Sequence, residues 1–523
     1  MKTVVLLFAL GGGAFAQTTL NVSEDLVRLG AASANIVPNQ PGQDTGPPLY
    51  QAVLYAKNHQ FSRVIANPGA YYFRSLQYSG AHVGWDSLSN LTLDFQGSDF
   101  YFSNPLVSGI VITNSTNLVL ENFTADYDPL PFTQVRVVSV DGVQRLIRFA
   151  VDGAWQNPTL LNAVFAASGT SFQSIEVHIF RNGSPLAGVP LMHAVDPVTA
   201  DQFTIAADPT GYATSAVISQ IRPGDIAFLG MRLGSGPVSV LHCTGCTFRN
   251  MTAYASTYWG FNIAYAQSSV LEHLYSLPRP GTDRLASNYV GLALWSRGAG
   301  NQLRFNRLIR TMDAGLESTL GMIGTVRNQI DNRTLLLEGT PTSQLSAGSL
   351  PPNGATVAFQ RPSDGAILGS AVMVSRTAPP FTGQQVYQVT FSFDRDLPTG
   401  LAGAAMFGTD DSLSGGKTII ERNTLQDATD CCVGFGLYGL TNSVVRGNYI
   451  QRSAMAGMKV ENALMPGGFN APPAANLALS NNVIDGSNWI RDTYFGGQLG
   501  SILVYATANE APPQTDEVYF RHG

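Results

Sequence analysis

A short glycine-containing motif recurs along this sequence at nearly constant spacing, and it constrains the fold more than any other feature. Gly291 and Gly315 are 24 residues apart, and Gly434 and Gly457 are 23 residues apart. Periods of roughly 20 to 50 residues are typical of solenoids, in which each repeat is one coil. The residues after each glycine alternate in polarity, as in a strand. The pattern predicts an all-β, right-handed parallel β-helix.

Because side chains alternate faces along a strand, the aligned motifs predict which residues stack from coil to coil. The inward column is Phe261, Leu292, Leu316, Phe435 and Met458. The first outward column is Asn262, Ala293, Glu317, Gly436 and Lys459. The second outward column is Ala264, Trp295, Thr319, Tyr438 and Glu461. We expect any binding or catalytic site to lie on these outward columns.

A second motif, two or three strand residues followed by a polar corner residue, also recurs. We align seven copies of it, ending at Asn122, Asn250, His273, Asn306, Asn423, Asn448 and Asn482. Asparagine tolerates left-handed backbone geometry, so the motif predicts one such corner in each coil.

Two long segments lack both motifs and read as alternating strands, which predicts two small β-barrels inserted into the solenoid. A structureless loop of that length is uncommon in a compact domain. The expected division is a signal peptide at 1–16, an N-terminal cap with the first coils at 17–130, a barrel at 131–237, coils at 238–320, a second barrel at 321–408, and the last coils with a cap at 409–523.

The first 16 residues carry one lysine, an apolar run and a small-residue cleavage site, which predicts a secretory signal and a secreted protein. Among the Asn-x-Ser/Thr triplets of the sequence, we take six as candidate glycosylation sites in such a product. They are Asn21, Asn90, Asn114, Asn122, Asn250 and Asn332. No later segment is long and apolar enough to predict a membrane span.

The formal net charge is −6 and no basic run occurs, so the chain lacks the electrostatic footprint of a nucleic-acid binder. Its four cysteines, Cys243, Cys246, Cys431 and Cys432, do not have the spacing of a zinc site. Disulfides and buried thiols both remain open for them. We expect no metal and no cofactor, and the oligomeric state is left open.

Several stretches resemble the β-helical α-1,3-galactosidases that cleave blood-group B antigen. The matching stretches are Asn90–Gly97, Asp126–Thr133 and Arg279–Arg284, followed by Asp313. The resemblance covers most of residues 60–490, including both barrels. It implies a glycan groove flanked by the barrels, with catalytic carboxylates on neighbouring coils.

The resemblance is incomplete at those carboxylates. The Asp-Gly-x-His coil of that family aligns with Val290 to Ala293, and its Asp-Asp pair aligns with Met312-Asp313. An inverting glycosidase needs two carboxyl groups about 6.5 to 9.5 Å apart. A hydrolase would therefore need relocated acids, and Asp313 and Glu317 are the candidates.

A groove with few acids and many aromatic residues also suits a different reaction. In its general type, a secreted protein with a hydrolase-like fold and few of the catalytic acids, the chain resembles the fungal hetero-Diels–Alderases. Those enzymes join a tropolone quinone methide to a terpene alkene. Holding the two reactants close together in the correct orientation supplies much of the rate acceleration of such a cycloaddition. In this hypothesis Trp295 and Tyr438 stack on the flat reactant, and Lys459 or Asn262 polarises its oxygen. Glu317 orients Lys459.

The remaining predicted contacts in that groove are Tyr289, Trp259 and Met312. This small-molecule pericyclase is the favoured hypothesis at the level of sequence, because it explains the missing acids together with the aromatic residues. A secreted glycoside hydrolase acting on an α-galactoside or related glycan is the alternative. A non-catalytic glycan-binding β-helix is the third.

Overall fold

The computed structural model describes most of the chain. The described residues are 19–32, 34–78, 80–151, 175–194, 202–207, 218–231, 236–256, 258–295, 298–320, 323–338, 350–363, 366–377, 388–409, 414–428, 434–454, 456–463, 474–487 and 501–507. The predicted signal segment and the pair Cys431 and Cys432 lie outside them.

One helix and 36 strands make up the described structure. The first part of the chain forms β1 (Thr19–Asn21), α1 (Gly46–Asn58), β2 (Arg63–Ile65), β3 (Ala70–Phe73), β4 (Ala81–Asp86), β5 (Thr92–Phe102), β6 (Ser108–Thr116) and β7 (Val119–Tyr127). The next strands are β8 (Phe132–Asp141), β9 (Leu146–Val151), β10 (Ile175–Arg181), β11 (Ser184–Ala194), β12 (Gln202–Ala207) and β13 (Ile226–Met231).

The middle of the chain forms β14 (Val238–Thr244), β15 (Thr247–Ala253), β16 (Trp259–Ala264), β17 (Val270–Ser276), β18 (Val290–Trp295), β19 (Gln302–Arg304), β20 (Arg307–Ile309) and β21 (Leu316–Thr319). It continues with β22 (Gly324–Asp331), β23 (Thr334–Glu338), β24 (Thr356–Gln360), β25 (Ile367–Thr377), β26 (Gln388–Phe393) and β27 (Ala405–Gly408). The last strands are β28 (Ile419–Glu421), β29 (Thr424–Ala428), β30 (Phe435–Tyr438), β31 (Val444–Arg446), β32 (Tyr449–Ser453), β33 (Met458–Ala463), β34 (Ala478–Ser480), β35 (Val483–Asp485) and β36 (Ile502–Thr507).

Two long parallel sheets form the solenoid. One has nine strands in the order β36-β33-β30-β21-β18-β16-β14-β6-β4, and the other has fifteen strands that run along the same axis. Successive coils add one strand to the nine-stranded sheet and one or two strands to the fifteen-stranded sheet. Every pairing in the nine-stranded sheet is parallel. The predicted fold class, a right-handed parallel β-helix, is confirmed.

The register of the nine-stranded sheet agrees with the predicted columns. Phe261 pairs with Leu292, Leu292 with Leu316, Leu316 with Phe435, and Phe435 with Met458. All five side chains are fully buried in the solenoid core. The two-residue period of a strand places every second side chain on the opposite face, and so positions the outward columns.

The predicted corner motif is correct for the first coils and wrong by one residue for the later ones. Left-handed backbone occurs at Asn122, Asn250 and His273, but then at Phe305, Arg422, Gly447 and Asn481. The asparagines that follow the last four corners turn inward instead. They are Asn306, Asn423, Asn448 and Asn482, and their side chains form a ladder of hydrogen bonds between coils.

Two closed β-barrels interrupt the solenoid, as expected. The first consists of β8 to β13 and leads into the start of β14; the second consists of β22 to β27 and follows the end of β21. They therefore join the nine-stranded sheet at opposite ends of its strands. Their strands fall inside the predicted intervals, while the exact domain boundaries remain predictions.

Helix α1 packs against the first coil. Two prolines open it, which suits the first helical turn, where backbone N–H groups need no partner. Leu49, Ala52, Val53 and Ala56 recur at helical spacing and are buried in the solenoid core. No helix in the described part of the chain has the length and apolar character needed to cross a membrane.

Cys243 and Cys246 form a disulfide. Of the two possibilities left open for the cysteines, a disulfide or buried thiols, this pair therefore adopts the disulfide. Both side chains are buried. The bridge spans the corner between β14 and β15, where Gly245 has a positive φ of 66°. It therefore ties the nine-stranded sheet to the fifteen-stranded sheet at this coil.

Candidate functional site

The candidate site is the outward face of the nine-stranded sheet between the two barrels, which we call the groove. Asn262, Ala293, Glu317, Gly436 and Lys459 lie opposite one another on five successive strands, as predicted. Ala293 is fully buried and Glu317 is 8% exposed, although both side chains point away from the solenoid core. The centre of this face is thus recessed, whereas Asn262 and Lys459 at its two ends are half-buried.

Glu317 lies near the middle of the groove on β21. The hydroxyl of Thr319 donates a hydrogen bond to Oε1 of Glu317 at 3.3 Å. The two residues are on the same face because they are two positions apart in one strand. This contact helps to position Oε1 of Glu317, and it adds Thr319, a member of the second outward column, to the predicted site residues.

Tyr438 folds back along its own strand. A methyl group added to Gly436 would lie 2.6 Å from Cε2 of Tyr438 and 3.1 Å from its hydroxyl oxygen. The phenol therefore occupies the space that a side chain at position 436 would fill. Lys459 on the next strand places Nζ 5.8 Å from the centroid of the same ring. The Tyr438 ring covers Gly436, which lies between Glu317 and Lys459 in the first outward column. Orientation of Lys459 by Glu317 stays a prediction.

Two tryptophans stand at the other side of Glu317. The rings of Trp259 and Trp295 meet edge to face, with centroids 6.3 Å apart and planes at 83°. Trp295 pairs with Thr319, which pairs with Tyr438, so aromatic rings lie one strand away on each side of Thr319. Flat apolar rings of this kind can stack on a sugar or on another planar ligand.

Tyr289 and Met312, two of the predicted substrate contacts, do not reach the groove. Both are fully buried in a hydrophobic cluster between the first barrel and the solenoid. The Tyr289 ring packs on Phe228 of the barrel with centroids 6.0 Å apart. Tyr289 precedes β18 and Met312 precedes β21, so the alternation of faces along a strand does not apply to them. The first barrel packs over both side chains.

Asp313, one of the predicted acids, is 5% exposed and occupies a turn before β21. Its Oδ1 accepts a hydrogen bond from the backbone N–H of Ala314 at 2.8 Å. Its own N–H donates to the carbonyl of Tyr289 in the preceding coil. This arrangement stabilises the turn, and the catalytic role of Asp313 stays a prediction.

Two of the stretches that carry the galactosidase resemblance meet each other at a buried carboxylate. Asp126 is 1% exposed and accepts hydrogen bonds from Arg279 at 3.0 Å and from Arg284 at 2.9 Å. Burial opposes the charge of Arg279, but the hydrogen bond and charge of Asp126 raise its pKa. The same loop exchanges hydrogen bonds with Gln134 of the first barrel. This part of the resemblance therefore concerns barrel docking.

The six predicted glycosylation sites differ in their exposure and in their hydrogen bonds. Nδ2 of Asn21, Asn114, Asn122 and Asn250 donates a hydrogen bond to a neighbouring side chain in each case. Asn90 and Asn332 are exposed, and Asn90 uses its carbonyl oxygen to accept from Asn117. Glycosylation itself remains a prediction for all six.

Asn122 and Asn250 also line a second depression, on the fifteen-stranded sheet, with a volume of about 380 Å³. It is polar and lies on a different sheet from the groove. Within the described residues, no group of three or more His, Cys, Asp or Glu side chains is arranged to hold a metal ion.

Comparison with known proteins gives one match in sequence and several in fold. No family model matches the chain. Over 89 residues the chain is 30% identical to α-1,3-galactosidase B of Parabacteroides distasonis. The aligned residues make up 17% of this chain and 14% of that protein. The match therefore spans a small part of the relative's length.

Among solved structures, the chain is similar to a tailspike protein double mutant of E. coli bacteriophage HK620 in complex with a pentasaccharide. The TM-score is 0.40 and the identity 9%, over 94% of this chain and 60% of that chain. It is also similar to an exopolygalacturonase from Thermotoga maritima, with a TM-score of 0.33 and 9% identity over 94% of this chain and 79% of that chain. At such identities the similarity concerns the fold alone.

Proposed function

We propose that the protein is a glycoside hydrolase that binds a glycan, an α-galactoside or a related one, along the groove. The observation that carries the proposal is the position of Glu317, a carboxylate with a fixed hydroxyl partner in the recessed centre of a face that two barrels flank. The sequence match to an α-1,3-galactosidase supports a galactoside as the first substrate to test.

Hydrolysis of a glycoside generally requires a proton donor at the leaving oxygen and a second carboxylate. We assign proton donation to Glu317. Asp313 lies in the turn before β21, four residues earlier in the chain, and its carboxylate accepts a hydrogen bond from the backbone N–H of Ala314. We assign the second role to Asp313, the other acid that the sequence predicts for a hydrolase.

The test is release of reducing sugar from α-1,3-linked galactosides. Replacing Glu317 with Gln preserves the shape of the side chain but removes its proton, so we expect kcat to fall by about 10² to 10⁴. Asp313→Asn should cause a loss of the same order. The matched control is Glu421→Gln, on the fifteen-stranded sheet, where the carboxylate pairs with Arg446 outside the groove.

The proposal fails if the wild-type protein releases no sugar from any galactoside, or if Glu317→Gln is as active as wild type. Binding of a glycan without turnover in the wild type would identify a glycan-binding β-helix instead. The control must retain wild-type activity and thermal stability for either result to count.

A pericyclase remains the second candidate. It is favoured by the small residue Ala293 on one side of Glu317 and by the edge-to-face tryptophan pair, which supply apolar surface there. Such a protein would join a tropolone quinone methide to a terpene alkene and release no sugar. Trp295→Ala should then reduce product formation more than Glu317→Gln does.

A further inference from the structure

The second depression, on the fifteen-stranded sheet, takes no part in the proposed hydrolysis. Its volume of about 380 Å³ lies within the range of small-molecule sites, about 300 to 1,000 Å³. Its walls include Asp94 and Gln96 from β5, Asn122 from β7, and Asn250 and Thr252 from β15. It therefore has the size of a ligand site and is separate from the groove.

A bulge in β5 forms one wall of this depression. Between Asp94 and Ser98, three residues of β5 lie opposite the single residue Asn122 of β7. Gln96 and Gly97 have positive φ values of 52° and 83°, and both are exposed. Bulges are frequent next to active sites, where they redirect side chains. The next coil has no such wall, because β15 and β7 stay in register at this corner.

The walls contain one charged residue, Asp94, and its charge is matched. Asp94 is 3% exposed and forms an ion pair with Arg63. Its Oδ1 accepts hydrogen bonds from Nδ2 of Asn122 at 2.8 Å and from the backbone N–H of Gln96 at 2.9 Å. Burial opposes ionisation of Asp94, but these hydrogen bonds and Arg63 lower its pKa. With the carboxylate and the guanidinium balanced, the depression favours an uncharged ligand.

The other polar groups in the walls can both donate and accept hydrogen bonds. Nδ2 of Asn250 donates one of its two hydrogens to Oδ1 of Asn122 at 3.2 Å. Gln96 is exposed and Thr252 is half-buried, and within the described residues neither side chain has a hydrogen-bond partner. Amides and hydroxyls of this kind match the hydroxyls of a sugar, each of which also donates and accepts.

Two immobilised tyrosine rings border the depression. Tyr254 follows Thr252 by two residues, and its backbone N–H extends the ladder of β15 by donating to the carbonyl of Ala125 at 3.0 Å. Its ring therefore stands on the same face, about 7 Å along the strand. The guanidinium of Arg279 lies 5.1 Å from the centroid of this ring and 5.0 Å from that of Tyr101. Ligand sites generally combine such aromatic surface with a few polar groups.

We propose that the second depression is a glycan-binding site, separate from the groove, that takes one unit of an uncharged oligosaccharide. The hydroxyls of that sugar exchange hydrogen bonds with Asn250, Thr252 and Gln96, and the Tyr254 ring contacts the neighbouring unit. The inference goes beyond the proposed function, because the site is on another sheet and binding there involves no covalent step. Two sites for one polymeric glycan raise its overall affinity when both are occupied together.

The experiment is photo-cross-linking of the full-length protein with α-1,3-galactotriose and with maltotriose, each carrying a diazirine. A Glu317→Gln background prevents hydrolysis of the probe, and mass spectrometry locates the labelled peptides. We expect at least one probe to label residues 94–99 and 247–254, separately from any labelling of the groove strands 290–295 and 316–319. The unlabelled trisaccharide should compete for this labelling, and trigalacturonate, which is anionic, should compete less.

Variants at Thr252 test whether the labelling depends on the depression. Thr252→Trp fills it and should reduce labelling there by about tenfold or more. Thr252→Val keeps the shape but removes the hydroxyl, so we expect a loss of about two- to tenfold, the effect of one hydrogen bond. Thr252→Ser retains the hydroxyl and should preserve most of the labelling. A bacterial host without N-glycosylation leaves Asn250 unmodified in every variant.

The matched controls are Thr424→Trp and Thr424→Val, because Thr424 is in the same outward column three strands later. Both should label as strongly as the parent. Labelling that survives Thr252→Trp, or no labelling at 94–99 and 247–254, overturns the inference. If the wild type hydrolyses galactosides but only groove strands are labelled, the proposed function stands and the second site does not. If the depression is labelled and no sugar is released, the reverse holds.

Discussion

His82 illustrates how burial and hydrogen bonding act on one residue. It is fully buried next to Phe102, its Nδ1 lies 3.1 Å from the carbonyl of Ser75, and its Nε2 accepts from the N–H of Asn104 at 3.1 Å. These partners define the neutral ring with its proton on Nδ1. Burial lowers its pKa, although both backbone contacts and the charge of Asp44 act in the opposite direction.

From His82 we predict that stability decreases in mild acid. Because its pKa is lower in the folded state, the unfolded chain binds more protons as the pH falls below about 6.5, the ordinary value for histidine. The stabilising contribution of neutral His82 to the free energy of unfolding is complete above that pH. It declines below that pH until the pH passes the pKa of His82 in the folded state. We expect a loss of stability, measured by denaturant unfolding, as the pH falls from 7.5 to 5. His82→Gln should flatten this part of the pH profile; an unchanged slope in the variant would contradict the assignment.

The strand and corner elements are stabilised by repetition from coil to coil. On the fifteen-stranded sheet, one outward column alternates in charge over most of its length. Its members are Asp94, Glu121, Arg249, Glu272, Arg304, Glu421 and Arg446. Glu272 pairs with Arg304 at 2.8 Å and Glu421 with Arg446 at 2.7 Å. A shift of one coil by a single residue would remove these pairs, so the column favours one register.

The buried asparagine ladder should contribute more to stability than this exposed column. Nδ2 of Asn423 donates to the carbonyl of Leu303 and to Oδ1 of Asn448, and Oδ1 of Asn423 accepts from Asn306. Asn423→Ala leaves partners on two neighbouring coils unsatisfied, which we expect to cost about 2 to 4 kcal/mol. Denaturant unfolding measures the loss. Thr424→Ala, the next residue with a half-buried side chain, should change stability by less than about 1 kcal/mol. Equal losses in both variants would contradict a special role for the ladder.

At the scale of the whole molecule, the barrels determine what the solenoid exposes. The first barrel covers Tyr289 and Met312, and the loop that contains Arg279 and Arg284 connects that barrel to the first coils through Asp126. Both arginines contact one carboxylate that is shielded from water, and Arg279 also lies 3.8 Å from Asp99. The position of the barrel beside the groove therefore depends on this ion cluster.

Asp126→Asn should weaken docking of the first barrel. Removing one charge from a buried cluster leaves the partner charges uncompensated, and we expect a loss of about 3 to 5 kcal/mol. Hydrogen exchange should increase in residues 279–285 and in the first barrel before it increases in the solenoid core. Asp283→Asn is the control, because Asp283 is exposed and uses its backbone carbonyl in the contact with Gln134. A variant as stable as wild type would show that the cluster does not hold the barrel.

The sequence by itself determined the solenoid, the inserted barrels, and the register of Asn262, Glu317 and Lys459. These follow from short-range properties: a strand alternates with period two, and a coil repeats at a nearly constant length. Corner positions were only partly predictable, because an asparagine can either adopt left-handed geometry, as Asn250 does, or turn inward, as Asn423 does.

Only the tertiary structure decided which candidate side chains reach the groove. Tyr289 and Met312 are covered by a barrel that is distant in sequence, and the direction of the Tyr438 ring depends on the absence of a side chain at Gly436. Asp126 takes its role from arginines more than 150 residues away. Such contacts depend on how remote segments pack together, and no local period encodes that packing.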